Sequence, residues 1–284
     1  MEITIHLMKN LFLLLLITAS FSLKAQYYYE DILSTNETNR LMKSYKDNKV
    51  VGVTSTGYDA LGVKTTDFSE QQEVNNSVLK TTTRNNLTIT VLISRFDDQS
   101  RLISIVDSAI DVKSFTVYTY DAAGKIILIK NTTKDSSLQI NNVETHQWIY
   151  NSNGQPIKML QIVNDNDTTE FRFNMDDKGN VADEQSFRKG KAGEMIYYYY
   201  DDKNRLTDVV RYNNKYKKLL PDYMFEYDEQ DHVLQKTTPL SNLSLGYLIW
   251  RYVYNDKGLK TKEAAFNKNK EMTGKIEYSY TFAQ

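Results

Sequence analysis

The feature that most constrains this chain is a short motif that returns every 25 to 30 residues. It consists of an aromatic residue, one variable position, a second large residue, Asp or Asn, and then a turn. The copies read YTYDAAGK from 118, WIYNSNGQ from 148, FNMDDKGN from 173, YYYDDKNR from 198, FEYDEQDH from 225 and YVYNDKGL from 252. A half-copy, YSYTF, begins at 278, and two weaker copies lie at Tyr58–Gly62 and Phe96–Ser100. Self-similarity at such a period predicts a repeat architecture and must be read before any single motif.

Each copy reads as a β-hairpin. Four positions after the key residue stand Gly62, Ser100, Gly124, Gly154, Gly179, Asn204, Asp231 and Gly258. All but Ser100 are types that tolerate positive φ, as a turn closed by a left-handed residue requires. The Asp or Asn opening the turn can accept a backbone N–H two residues on. Ahead of the turn, residues i and i+2 share one strand face. That face is aromatic: Tyr118 and Tyr120, Trp148 and Tyr150, Tyr198 and Tyr200, Tyr252 and Tyr254. The residues between them, such as Thr119, Asn174, Glu226 and Ser279, are mostly solvent-tolerant. The pattern predicts an all-β chain in which residues 51–284 form an extended antiparallel sheet of tandem hairpins, open or curled.

The sequence aromatic-x-Tyr-Asp-x-x-Gly, as in YTYDAAGK, resembles the YD repeat of the Rhs and teneurin proteins. That resemblance implies a long spiralling β-sheet, which in the family closes into a shell or carries adhesion surfaces. The chain is short for a shell and has no C-terminal toxin, so architecture alone carries over.

The N-terminus differs. Lys9, the apolar run Leu11–Ile17 and Leu23-Lys24-Ala25 match the three regions of a secretory signal peptide over residues 1–25, with Met8 as the expected start and Gln26 as the first mature residue. The AQ pair resembles the cleavage pattern of exported Bacteroidota proteins. Residues 26–50 read as a capping segment. Ser34 and Glu37 have capping-box spacing ahead of a short helix near 36–46, expected to cover a sheet edge or part of the aromatic face. The expected location is outside the cytoplasm: periplasmic, outer-surface or extracellular.

Composition narrows the function classes. There are 35 Lys and Arg against 36 Asp and Glu, a net charge of -1 that lacks the basic excess nucleic acid demands. The absence of Cys removes disulfides, thiolate catalysis, cysteine zinc sites and a lipoprotein anchor. Beyond residue 26, His146 and His232 stand apart, without HExxH or GxSxG, and both read as structural hydrogen-bonding groups. Acidic turns such as Asp176-Asp177 and Asp201-Asp202 lack the D-x-D-x-D-G loop of a calcium site and read as turn chemistry. No cofactor or metal is implied. A membrane-spanning barrel is not expected, because RLTDVVRY at 205–212 carries charge on both faces.

The candidate binding residues are aromatic. Tyr197 and Tyr199 break the parity of the YYYY run and place rings on the face opposite Tyr198 and Tyr200, and Trp148 and Trp250 are candidates if the motif face is uncovered. The expectation is an exported, non-enzymatic binding or scaffold module meeting a protein or glycan partner at the cell envelope, with no transmembrane anchor. The alternatives are a polysaccharide-acting envelope enzyme and a purely structural spacer.

Overall fold

A computed structural model of the chain describes residues 27–109, 112–240 and 246–284. The signal-like segment lies outside the described residues. One helix, α1 (Glu30–Asp47), precedes eighteen strands. The first six are β1 (Val50–Asp59), β2 (Lys64–Asn75), β3 (Val78–Asn85), β4 (Thr88–Phe96), β5 (Leu102–Ser108) and β6 (Val112–Tyr120). The next six are β7 (Ile126–Asp135), β8 (Ile140–Tyr150), β9 (Pro156–Val163), β10 (Asp167–Met175), β11 (Val181–Arg188) and β12 (Lys191–Tyr200). The last six are β13 (Leu206–Asn213), β14 (Lys218–Tyr227), β15 (Val233–Pro239), β16 (Tyr247–Tyr254), β17 (Lys260–Phe266) and β18 (Met272–Phe282).

Every strand pairs antiparallel with its neighbours in sequence, and β1 also pairs with β18, Val53 opposite Tyr280 and Gly57 opposite Ile276. The expected open or curled sheet is therefore wrong: the eighteen strands close into an up-and-down barrel. The physical reason lies at the ends. The half-copy from 278 supplies the final strand, and the Val- and Thr-rich segment after α1 supplies the first. Pairing the two removes both exposed edges.

The hairpin reading holds in detail. All eight turn-closing residues have positive φ, including Ser100 at 61°, Asn204 at 60° and Asp231 at 66°. The opening side chain does more than expected: Asp121 Oδ1 accepts the N–H groups of both Ala123 and Lys125, and Asn151, Asp176, Asp201, Asp228 and Asn255 repeat the pattern. A register shift accompanies these turns, as between Thr119 and Tyr120 against β7. The copy at Tyr58–Gly62 joins β1 to β2 and so closes at the opposite end of the barrel from the other seven.

The key tyrosines form a ladder. From Tyr120 onward each donates its hydroxyl to the carbonyl of the first residue of the preceding strand, the one that follows the previous repeat's turn. The bonds run from Tyr120 to Leu102 (2.7 Å), Tyr150 to Ile126 (2.7 Å), Tyr200 to Val181 (2.9 Å), Tyr227 to Leu206 (2.7 Å), Tyr254 to Val233 (3.1 Å) and Tyr280 to Lys260 (2.7 Å). Met175 occupies the same place in its repeat without a hydroxyl. The key residue is thus Tyr because one side chain must both fill the interior and satisfy a buried acceptor.

Barrels of this strand number leave a lumen wide enough for a channel. Here α1 occupies it. Helix and inner wall share two cores, one joining Tyr27 to Trp148, Phe171, Phe173, Ile196 and Tyr198, the other joining Met42 and Tyr45 to Val53, Leu79, Phe96 and Leu102. The helix begins at Glu30, earlier than the capping-box spacing predicts, so Ser34 and Glu37 lie within it and cap nothing. Its N-cap, Tyr29, makes no side-chain cap bond. That function passes to Glu184 of β11, almost fully buried at 2% exposure, whose carboxylate accepts the Tyr28 and Tyr29 N–H groups at 2.9 Å each. Burial pushes the Glu184 pKa up while the two N–H donors pull it back, and its oxygens answer the orphan donors of the helix N-terminus, which local sequence could not reveal.

Candidate functional site

The lumen holds the densest chemistry. Asp31 of α1 places Oδ2 2.7 Å from His146 Nδ1 and 3.2 Å from Trp148 Nε1, while His146 Nε2 lies 2.9 Å from Glu144. Gln161 donates to the same Glu144 oxygen at 2.6 Å. Burial disfavours the imidazolium, but the Asp31 and Glu144 carboxylates on either side overcome that and raise His146 to about 9. Both ring nitrogens therefore act as donors at neutral pH, and the ring is a clamp on α1 rather than a free base.

The other buried charges are engaged too. Arg211 meets Glu194 at 2.7 Å and Asp222 on its other side. Glu263 holds Lys260 at 2.6 Å, and Lys260 lies over the rings of Tyr252 and Tyr278. Glu70, raised by burial, accepts from Thr83 and Gln72 at 3.1 Å each. Lys236 sits 4.8 Å from the Tyr223 ring centroid and feels Glu30 and Glu37 across the lumen, while burial pulls its pKa down. His232, beside a turn, bonds Asp228 at 2.9 Å and stacks on Tyr254. Among the described residues no group of three or more His, Asp or Glu is placed to hold a metal ion.

The four aromatic candidates separate into two environments. Trp148 is buried at 4% exposure, stacked on Phe173. Trp250 faces the lumen from β16, opposite Lys236 in register and half-buried. Tyr197 and Tyr199 stand on the outer wall, and Tyr199 is 48% exposed. The structure adds a residue the motif could not flag: Tyr212, outside the repeat, projects from β13 on the same outer face at 46% exposure. Around these rings the register sets Asp183 beside Tyr197 and Asp208 beside Tyr199. Next to them on the wall lies a groove of about 340 Å³ lined by Leu160, Glu170, Arg172, Phe187 and Gly190, with Arg172 stacked over Phe187.

The outer wall has no unbroken apolar girdle. Ser69, Gln71 and Glu73 face outward on β2, Glu170, Arg172 and Asn174 on β10, and Lys275 and Glu277 on β18. No described helix is long and apolar enough to cross a membrane.

No protein-family model matches the sequence, and no curated protein matches it, so the YD-repeat likeness rests on the motif itself. Solved structures do resemble the chain. A porin-like protein from Bacteroides uniformis aligns with a TM-score of 0.44 at 9% identity, over 82% of this chain and 98% of that one. A porin-like protein from Bacteroides vulgatus aligns at 0.26 and 11% identity, over 82% and 98%. The Photorhabdus luminescens Tc holotoxin pore, TccC3 mutant, aligns at 0.34 and 10% identity, over 75% of this chain but 16% of that one. These are loose likenesses, and the barrel assignment stands on the strand pairing.

Proposed function

We propose that the protein is a non-enzymatic binding module of the cell envelope, exported by its N-terminal signal, whose outer wall between β9 and β13 takes a neutral glycan. The observation that carries this reading is the placement of Tyr197, Tyr199 and Tyr212. The key tyrosines of the copies from 118 onward point inward and are fixed in the ladder, whereas these three present rings on the outer wall beside the carboxylates of Asp183 and Asp208. An apolar ring face with nearby acceptors fits a sugar, whose C–H face stacks and whose hydroxyls donate. Carboxylates in that position disfavour an acidic polymer. Engaged acids support the non-enzymatic part, since Asp31, Glu70, Glu144, Glu184, Glu194, Asp222 and Glu263 are each held by a hydrogen-bonding or ionic partner.

The test is affinity electrophoresis and calorimetry of residues 26–284 against laminarin, xylan and galactan, with Tyr199→Ala and the Tyr199→Ala/Tyr212→Ala pair. Binding to at least one neutral glycan, weakened about tenfold or more by the pair at unchanged melting temperature, is expected. Binding that survives the pair, or no binding to any of the three polymers, would overturn the assignment.

A further inference from the structure

A different sector of the wall carries a second surface. On strands β3 to β9 the outward positions hold apolar and basic side chains interspersed with Ser, Thr, Asn and Gln and, among the described residues, no carboxylate. Ile93, Val106 and Phe115 lie directly opposite one another across β4, β5 and β6, and the neighbouring row runs Arg95, Ser104, Val117, Lys130. Phe115 is 46% exposed and Ile89 41%.

The cations there are unusual in two respects. Lys80 and Lys158 are neutralised from the sector's margins, by Glu73 and Glu170. Arg84, Arg95, Lys113, Lys130 and Lys134 are exposed and form no ion pair among the described residues. Lys113 also sits directly opposite Lys134 in the β6–β7 register, a like-charged cross-strand pair that costs stability. The nearly balanced total charge makes this segregation more marked, because the compensating acids lie elsewhere.

We propose that this sector docks the barrel on an anionic phospholipid bilayer. Interleaved apolar and long basic side chains suit a bilayer interface: Ile, Val and Phe enter the headgroup boundary while Lys and Arg extend to phosphates. A second copy of the chain does not fit, since two such faces would bring cation against cation. An acidic protein would answer the charge but leave the Ile93–Val106–Phe115 row without a low-dielectric partner. The proposal is independent of the glycan reading, whose rings lie on β12 and β13.

Flotation of residues 26–284 with phosphatidylcholine vesicles, with and without 30% phosphatidylglycerol, tests it. Anionic vesicles are expected to carry the protein at least tenfold more effectively. Each basic residue near such a surface contributes about 1 kcal/mol, so Lys113→Glu/Lys134→Glu is expected to weaken binding more than tenfold. Phe115→Ser is expected to weaken it several-fold at unchanged circular dichroism, and Tyr199→Ala not at all. Flotation indifferent to phosphatidylglycerol or to the double reversal would overturn the proposal. So would full binding by Phe115→Ser, which would indicate plain electrostatic adsorption. Retention on polyglutamate resin without vesicle binding would replace the bilayer by an acidic protein, and a dimer by light scattering that the double reversal dissolves would replace it by a second copy.

Discussion

The clamp on α1 makes stability depend on pH in a direction that can be worked out. His146 is 9% exposed, and its pKa rises from the ordinary 6.5 to about 9 in the folded protein. A group whose folded pKa is raised stabilises the fold fully below its unfolded pKa and loses that contribution as pH rises through the folded value. The window is therefore pH 6.5 to 9, and the bond to His146 holds Glu144 below the usual carboxylate range, away from that window. At 1.36 kcal/mol per unit the effect is about 3 kcal/mol, equivalent to roughly 6 to 12 °C in melting temperature for a domain of this size. The assay is thermal unfolding at intervals from pH 6 to 10 for the wild type and His146→Gln. Taking the difference between the two curves cancels the titrations they share, including that of Lys236. Fluorescence of Trp148, whose indole donates to Asp31, should follow the same profile in a Trp250→Phe background. The reasoning is refuted if wild type and His146→Gln lose stability in parallel between pH 7 and 9.5.

Three further outcomes follow from the turn end of the barrel. Tyr227→Phe removes the donor to Leu206 O and should cost about 1 kcal/mol, whereas Met175→Tyr should gain a comparable amount by supplying the missing rung to Pro156 O; urea midpoints at constant m-value would check both. Gly154→Ala should cost about 1 to 2 kcal/mol, because Gly154 has φ of 77°, where an L side chain is strained, whereas the end of the Lys125 side chain that a Cβ would meet can swing aside; a melting temperature equal to wild type would contradict the backbone reading.

Much of the local structure was legible in the residues. Period-two aromatics gave the inward face, and Asp or Asn followed by Gly gave the turns, because both depend on neighbours a few positions away. Closure was not legible. No local signal distinguishes a curled sheet from one whose β1 meets β18, since that depends on the summed tilt of all the strands and on how many there are. The seat of the helix was hidden for a similar reason: its N-terminal partner, Glu184, lies 155 residues from Tyr29 and reads in sequence as an ordinary strand residue. Of the candidate site residues, parity placed Tyr197 and Tyr199 on the outer face. Tyr212 belongs to no motif copy, and only the β12–β13 register brings it to the same wall.

The seam between β1 and β18 also imposes an order of events. Val50 faces Phe282, and the Ala283 amide bonds the Lys49 carbonyl at 2.8 Å, so the strand latest in the chain completes the ring begun by the first strand. The hairpins between them are local and can form early, whereas this contact requires closing a loop of nearly the whole chain. α1 packs against the inner wall on two sides of the lumen, so its seat is complete only once the ring shuts. One edge of β1 therefore has to wait until β18 arrives, and a chain halted short of β18 would present two free strand edges and an uncovered aromatic face to its surroundings.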